Sequence, residues 1–218
     1  MASAPLPLEA SPIAFGTDGW RAKIGDEYTF ENVRRLAYGV ARVVVEDGAA
    51  AKSVVIAYDR RFGSEDFAVA AAEVLLAHGI PVAYAATATP TQMASYEVVA
   101  RGAAMGVVIT ASHNPWLDNG FKVKAPSGAA AGPTLLKRIE AFVAESRGPE
   151  LERRPFADAE AAGLVERVQV VKAAHVGIAH VDLRHGTAAR DAHHVLSSLG
   201  VEIHTNFFNV RDPALRQQ

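Results

Sequence analysis

A chain of 218 residues, half of them hydrophobic, has enough apolar material for one full core and part of a second. A net charge of -2 provides no global field for nucleic acid, so an anionic ligand has to be held by a local cluster. With no cysteine, disulfide scaffolds and thiolate metal sites are excluded, and no apolar run reaches the roughly 18 residues that mark a membrane span.

Residues 1–13 are rich in Ala and Pro, with neither a basic leading region nor an apolar stretch. That predicts a disordered lead-in rather than a secretory signal, and a cytoplasmic protein. Phe15-Gly16-Thr17-Asp18-Gly19-Trp20-Arg21 reads as a tight glycine loop presenting Arg21. Thr29 then caps a helix to about Glu46, with Glu31 in the first turn where an anion suits the helix dipole, and Asp47-Gly48 ends it. Ser53 to Tyr58 is a continuous apolar strand followed by the loop Asp59 to Ser64. Ser64 is expected to cap a helix from Glu65 to Ala77, stopped by His78-Gly79. Val82 to Ala86 is the next strand, Thr91 to Val99 a third helix, and Met105 to Thr110 a buried strand rich in β-branched side chains.

Pro115 ends that ladder, Asn119-Gly120 reads as a turn, and Phe121 to Lys124 returns antiparallel. A small-residue loop, Gly128 to Gly132, leads to a helix starting at Pro133 and running to Glu145. Strands alternating with helices predict an α/β fold, a three-layer α/β/α domain over residues 14–146 with a mixed, mostly parallel sheet. Residues 147–168, charged and broken by Pro and Gly, read as a linker or peripheral helix. In residues 169–218, Val176 to Val181, Arg190 to Leu199 and Val201 to His204 suggest strand, helix and strand of an incomplete second α/β domain.

Open α/β sheets bind ligands beyond the carboxyl ends of their strands, which is where Thr110-Ala111-Ser112-His113-Asn114-Pro115 falls. Ser112 and His113 are sequence neighbours and point to opposite sides of an extended chain, so His113 is badly placed to deprotonate Ser112. No Gly-x-Ser-x-Gly elbow is present either, which argues against a serine hydrolase. The competing structural reading is a turn whose side chains satisfy backbone groups. Arg21, Ser112, His113, Asn114 and Lys122, gathered at the polar ends of one sheet, suit a phosphoryl group instead. A phosphoserine carries about -1.5 to -2 charges, which cations and N–H donors stabilise. On spacing alone, Lys122 reads as a solvated strand lysine.

The segments Gly16-Thr17-Asp18-Gly19-Trp20-Arg21, Thr110 to Pro115 and Asn119-Gly120-Phe121-Lys122 together resemble the first domain of the α-D-phosphohexomutases, the phosphoglucomutase and phosphomannomutase superfamily. Tyr58-Asp59-Arg60-Arg61 followed by Ser64 also resembles that family's second strand and helix start. The resemblance is strong from Ala14 to Ala144 and weakens beyond Glu150. It implies reversible phosphoryl transfer between C1 and C6 of a hexose phosphate. Ser112, as a phosphoserine, donates its phosphoryl group, the resulting hexose bisphosphate turns round, and Ser112 takes the other group back. By the same resemblance Arg21, Lys122 and His113 serve acid-base, charge-stabilising and site-lining roles, while Asn114, Thr17 and Arg61 contact substrate or phosphate. Mg²⁺ touches an oxygen of phosphorylated Ser112, and a hexose 1,6-bisphosphate is the activator.

Some of the family pattern is missing from this sequence: the Asp-Gly-Asp-x-Asp-Arg metal loop, the Gly-Glu-x-Ser-Gly-His sugar loop and the phosphate-binding fourth domain. Val181-Asp182-Leu183-Arg184-His185-Gly186 only partly matches the Asp-Pro-Met-His-Gly turn of the second domain. Asp182, Asp191 and Asp212 are scattered and cannot replace carboxylates on one loop, the hard oxygen site magnesium prefers. The expectation is therefore an N-terminal portion that carries the phosphoserine half of an active site and is inactive alone. The alternative is a non-catalytic truncated paralogue that binds sugar phosphate or acts as an interaction module. Apolar surface left open by an incomplete second domain predicts self-association. His175, His180, His185, His193, His194 and His204 crowd the C-terminal part, but the adjacent pair His193 and His194 points about 100° apart on a helix, so zinc is not expected.

Overall fold

The computed structural model describes residues 13–17, 19–146 and 151–169. In chain order the elements are β1 (Trp20–Lys23), α1 (Phe30–Glu46), β2 (Val54–Tyr58), α2 (Ser64–Ala77), β3 (Val82–Ala85), α3 (Thr91–Ala100), β4 (Met105–Ile109), β5 (Asp118–Lys124), α4 (Pro133–Glu145), α5 (Phe156–Ala161) and β6 (Val165–Val168). They form one six-stranded sheet in the order β1-β5-β4-β2-β3-β6. From β4 through β2 and β3 to β6 neighbouring strands are parallel, while β5 runs antiparallel to both β4 and β1. The sheet is the expected mixed, mostly parallel one, and the fold is α/β.

Every residue of β2, β3 and β4 is buried, which is why these strands read as unbroken apolar runs rather than alternating ones. Helices α1 and α2 pack on each other, and α4 packs on α1. Their apolar faces close one core with Trp20, Ile56, Val107, Ile109, Phe121 and Val123 from the sheet. Tyr28 anchors this core, stacked on Trp20 at 5.2 Å and edge-on to Phe67 at 4.8 Å. The opposite face of the sheet is covered by α3, where Ala94 and Val98 meet Val55, Ala57, Ala83 and Val108. Thr29 caps α1 as expected, its hydroxyl accepting the Asn32 N–H at 3.2 Å. No helix among the described residues is long and apolar enough to cross a membrane.

Several expectations are corrected. Ile13, placed at the end of the lead-in, is buried in the core. The loop ascribed to residues 15–21 ends early, because Trp20 and Arg21 pair with Phe121 and Gly120 as an edge strand. Gly63, not Ser64, occupies the N-cap of α2, and the Ser64 hydroxyl is engaged elsewhere. Asn119-Gly120 makes no turn but lies inside β5, so the connection from β4 spans residues 110–117. Val123 and Phe121 face the core, and strict alternation puts Asn119 there as well, which is why strand geometry prevails over the dipeptide's turn preference. Where a linker or peripheral helix is expected, α5 is followed by β6, which pairs in register with β3 from Val82↔Val165 to Ala85↔Val168. The expected elements at Val176 to Val181, Arg190 to Leu199 and Val201 to His204, and the histidines among them, lie outside the described residues.

Candidate active site

Beyond the carboxyl end of β4 the chain turns sharply, and Ser112 takes φ 57°, the one positive value among the described non-glycine residues. Its N–H donates to Thr110 Oγ1 at 2.9 Å, and the Asn114 N–H donates to the Ala111 carbonyl at 3.1 Å. Thr110 is buried and its own N–H is bound to the Gly120 carbonyl, so the loop departs from a fixed point. Ser112 and His113 are exposed at its tip. A left-handed non-glycine residue at the exposed end of a central strand is the kind of strain that collects at working sites.

Arg61 reaches this loop from the end of β2. Its Nη1 donates to the carbonyls of Pro115 at 2.7 Å and Asp118 at 3.1 Å, and its Nη2 to those of Ser112 at 2.8 Å and Asn114 at 2.7 Å. Nε faces Asp59 Oδ2 at 3.3 Å. Asp59 Oδ1 accepts the Arg61 N–H at 2.9 Å and the Ser64 hydroxyl at 2.7 Å, and Ser64 Oγ accepts from Asn119 Nδ2 at 2.9 Å. Asn119, fully buried, also accepts the Gly120 N–H. In this structure the Nη donors of Arg61 are turned onto loop carbonyls.

Arg21, on β1, places Nη1 2.9 Å from Asn114 Oδ1, and Asn114 Nδ2 donates to Asp118 Oδ2 at 3.0 Å. Lys122 is not the solvated lysine that spacing suggests: it is only 4% exposed. Alternation along β5 puts it on the sheet face opposite Phe121, opposite Val108 in register, with its stem beneath the Gly16-to-Gly19 turn. A Cβ on Gly19, at φ 99°, would stand 2.9 Å from Lys122 Cγ and 2.8 Å from the Phe121 carbonyl. A Cβ on Gly120 would stand 2.5 Å from the Thr110 carbonyl, so these glycines let the three motifs approach one another. Thr17 is exposed on the Gly16-to-Gly19 turn, which closes through the Gly16 N–H to the Gly19 carbonyl at 3.0 Å. Tyr28 donates to the Gly120 carbonyl at 2.9 Å from beneath, and burial, reinforced by the Asp59 carboxylate, pushes its phenol well above the usual tyrosine range.

The structure thus joins Arg21 to Asn114, brings Arg61 beneath Ser112, and sets Lys122 under the first glycine turn. Sequence reasoning misses Asp59, Ser64, Asn119 and Thr110 as parts of the site. The signal for Asn119 is its alternation with Phe121 and Val123, which marks a buried polar group needing partners. Among the described residues no group of three or more His, Asp or Glu could hold a metal ion. A phosphorylated Ser112 would offer oxygen to Mg²⁺, but Asp59 and Asp118, the carboxylates tied into this loop network, are engaged with Arg61, Ser64 and Asn114. The described residues therefore do not complete the oxygen shell that Mg²⁺ takes.

Comparison with known proteins agrees with this geometry. Residues 12–149 match the family described as phosphoglucomutase/phosphomannomutase, alpha/beta/alpha domain I. The phosphoglucosamine mutase of Clavibacter sepedonicus is 34% identical over 203 residues, covering 88% of this chain and 45% of that protein. The phosphoglucosamine mutase of Picosynechococcus is 37% identical over 138 residues, covering 63% and 28%. The chain spans less than half the length of these relatives. A phosphoglucomutase/phosphomannomutase family protein from Burkholderia thailandensis superposes with a TM-score of 0.59 over 89% of this chain and 43% of its own, and at 22% identity that likeness speaks for the fold alone. The chain belongs to the phosphoglucomutase/phosphomannomutase family, the α-D-phosphohexomutases, with that family's first α/β/α domain in residues 12–149.

Proposed function

We propose that this chain carries the phosphoserine half of a phosphohexomutase site, with Ser112 exchanging a phosphoryl group with a hexose phosphate. The observation that supports it most is Ser112 itself, exposed in a left-handed conformation on a loop whose carbonyls are drawn away to Arg61. In one half-reaction a sugar hydroxyl oxygen bonds to phosphorus, the phosphorus–Oγ bond of Ser112 breaks, the hydroxyl loses its proton and the serine oxygen gains one. In the other, Ser112 Oγ attacks the second phosphoryl group of the bisphosphate and the same bookkeeping runs in reverse. Such transfers depend on placement and charge stabilisation, so cations near the loop matter more than covalent chemistry by side chains. Arg21, held by Asn114, and the buried Lys122 are the cations suited to charge and proton handling, and exposed His113 borders the reacting serine.

The names of the relatives make glucosamine phosphate the first substrate to test, with glucose and mannose phosphates beside it. Phosphopeptide mapping of the chain purified from cells or treated with hexose 1,6-bisphosphate is expected to find phosphate on Ser112. Phosphate on other residues only, or none after treatment, contradicts the reading. The 218-residue chain alone is expected to show no steady mutase turnover with Mg²⁺ and bisphosphate, since the metal and sugar loops are not in its sequence. Turnover abolished by Ser112→Ala overturns the half-site and shows a complete one.

A further inference from the structure

We infer that Arg61 is a positioning residue that holds the Ser112 loop in its left-handed conformation and so aims the serine, an inference that rests on the phosphoserine reading for its catalytic meaning. A guanidinium has five N–H donors in a rigid fork. Here the two Nη atoms reach four carbonyls, those of Ser112, Asn114, Pro115 and Asp118, and Nε faces Asp59, so the fork is spent inside the protein.

The bonds have a directional consequence. A planar trans peptide points its C=O and N–H in opposite directions. Drawing the Ser112 carbonyl onto Arg61 turns the His113 N–H to the side away from Arg61, and drawing in the Pro115 carbonyl does the same to the Trp116 N–H. The clamp is itself fixed from the core. Asp59 holds both Nε and the N–H of Arg61, Ser64 holds Asp59, and the fully buried Asn119 holds Ser64. Lysine cannot take over, because one ammonium at the end of a flexible stem cannot address four divergent carbonyls.

The test compares the wild-type chain with Arg61→Met and Arg61→Lys by thermal melting, by deuterium uptake across the peptides of residues 110–118 and of α1, and by the rate at which glucose 1,6-bisphosphate phosphorylates Ser112. Arg61→Met is expected to melt cooperatively, to exchange at least about tenfold faster in residues 110–118 with α1 unchanged, and to load phosphate about a hundredfold more slowly, as misplacement of a reacting group by about 1 Å does. Arg61→Lys, which keeps charge and stem and so covers the case in which the methionine variant does not fold, is expected to fall between the two in both readouts. Unchanged exchange in residues 110–118 in the folded variants overturns the clamp, and so does wild-type loading in a variant whose loop has loosened. If the wild-type chain itself takes up no phosphate, the phosphoserine reading fails, while the exchange comparison still decides whether Arg61 holds the loop.

Discussion

Asn119 has no contact with water and spends its amide on two neighbours, donating to Ser64 Oγ and accepting the Gly120 N–H. Truncating it leaves a buried donor and acceptor without partners, each costing about 1–3 kcal/mol. Asn119→Ala is therefore expected to lower unfolding free energy by about 2–4 kcal/mol in urea titration, at unchanged slope, with a looser Asp59–Arg61 clamp as its second effect. A loss under about 0.5 kcal/mol would show that water replaces the amide freely. The chemical identity of the site is legible at this scale: Ser112, Arg21, Asn114 and Lys122 stand in motifs the sequence displays openly. The supporting residues are less so. Asp59 and Ser64, at the loop and start of α2, look like ordinary local turn chemistry until Asn119, 55 residues beyond Ser64, is known to bond it. Arg61 is visible as a cation, but only tertiary structure shows that it faces carbonyls.

Among the elements, β6 shows best how a local reading fails. Val165-Glu166-Arg167-Val168 is short and half charged, and nothing in four such residues announces a strand. It becomes one because β3 presents an unpaired edge, where charged side chains are tolerated. Arg101, at the end of α3, ties Glu166 at 2.7 Å, and Phe156 of α5 packs edge-on to Tyr84 at 4.9 Å. The ion pair is exposed on the Glu166 side and contributes under about 1 kcal/mol, so apolar packing and the ladder carry the attachment. A chain ended after Ser146 is expected to expose β3 and the ring of Tyr84 and to lose stability. It should self-associate in sedimentation at concentrations where the full chain does not increase in size. Equal sedimentation and melting would show that α5 and β6 add nothing. The glycine-rich segment before β1 was legible as a turn, but its continuation into an edge strand was not, since pairing with β5 is decided about a hundred residues later.

Across the whole molecule the succession of strand and helix is strong enough to be read directly, because buried parallel strands show as unbroken apolar runs and amphipathic helices repeat their apolar residues every three or four positions. Sheet order is not written that way. A whole-molecule property does follow from where the tyrosines lie. Tyr28 and Tyr84 are fully buried and burial pushes both phenols well up, while Tyr58, again chiefly through burial, is pushed up to about 12. Unfolded tyrosines ionise near pH 10. The folded state keeps these protons longer, so their contribution to stability is complete below about pH 10 and is lost as pH rises toward the folded values. Stability should fall above pH 10 by about 1.4 kcal/mol per pH unit for each such group, and Tyr28→Phe should remove one share of that slope while costing about 1 kcal/mol at neutral pH through the lost bond to Gly120. An alkaline slope unchanged in Tyr28→Phe would mean that this phenol ionises in the folded state.

The account turns on Ser112 as the group that carries phosphate, and the most direct measurement is the intact mass of the full chain after incubation with glucose 1,6-bisphosphate, beside Ser112→Ala. The predicted result is the gain of one phosphoryl group in the wild-type chain and no gain in the variant. A wild-type mass that stays unchanged, or an equal gain in Ser112→Ala, would contradict it.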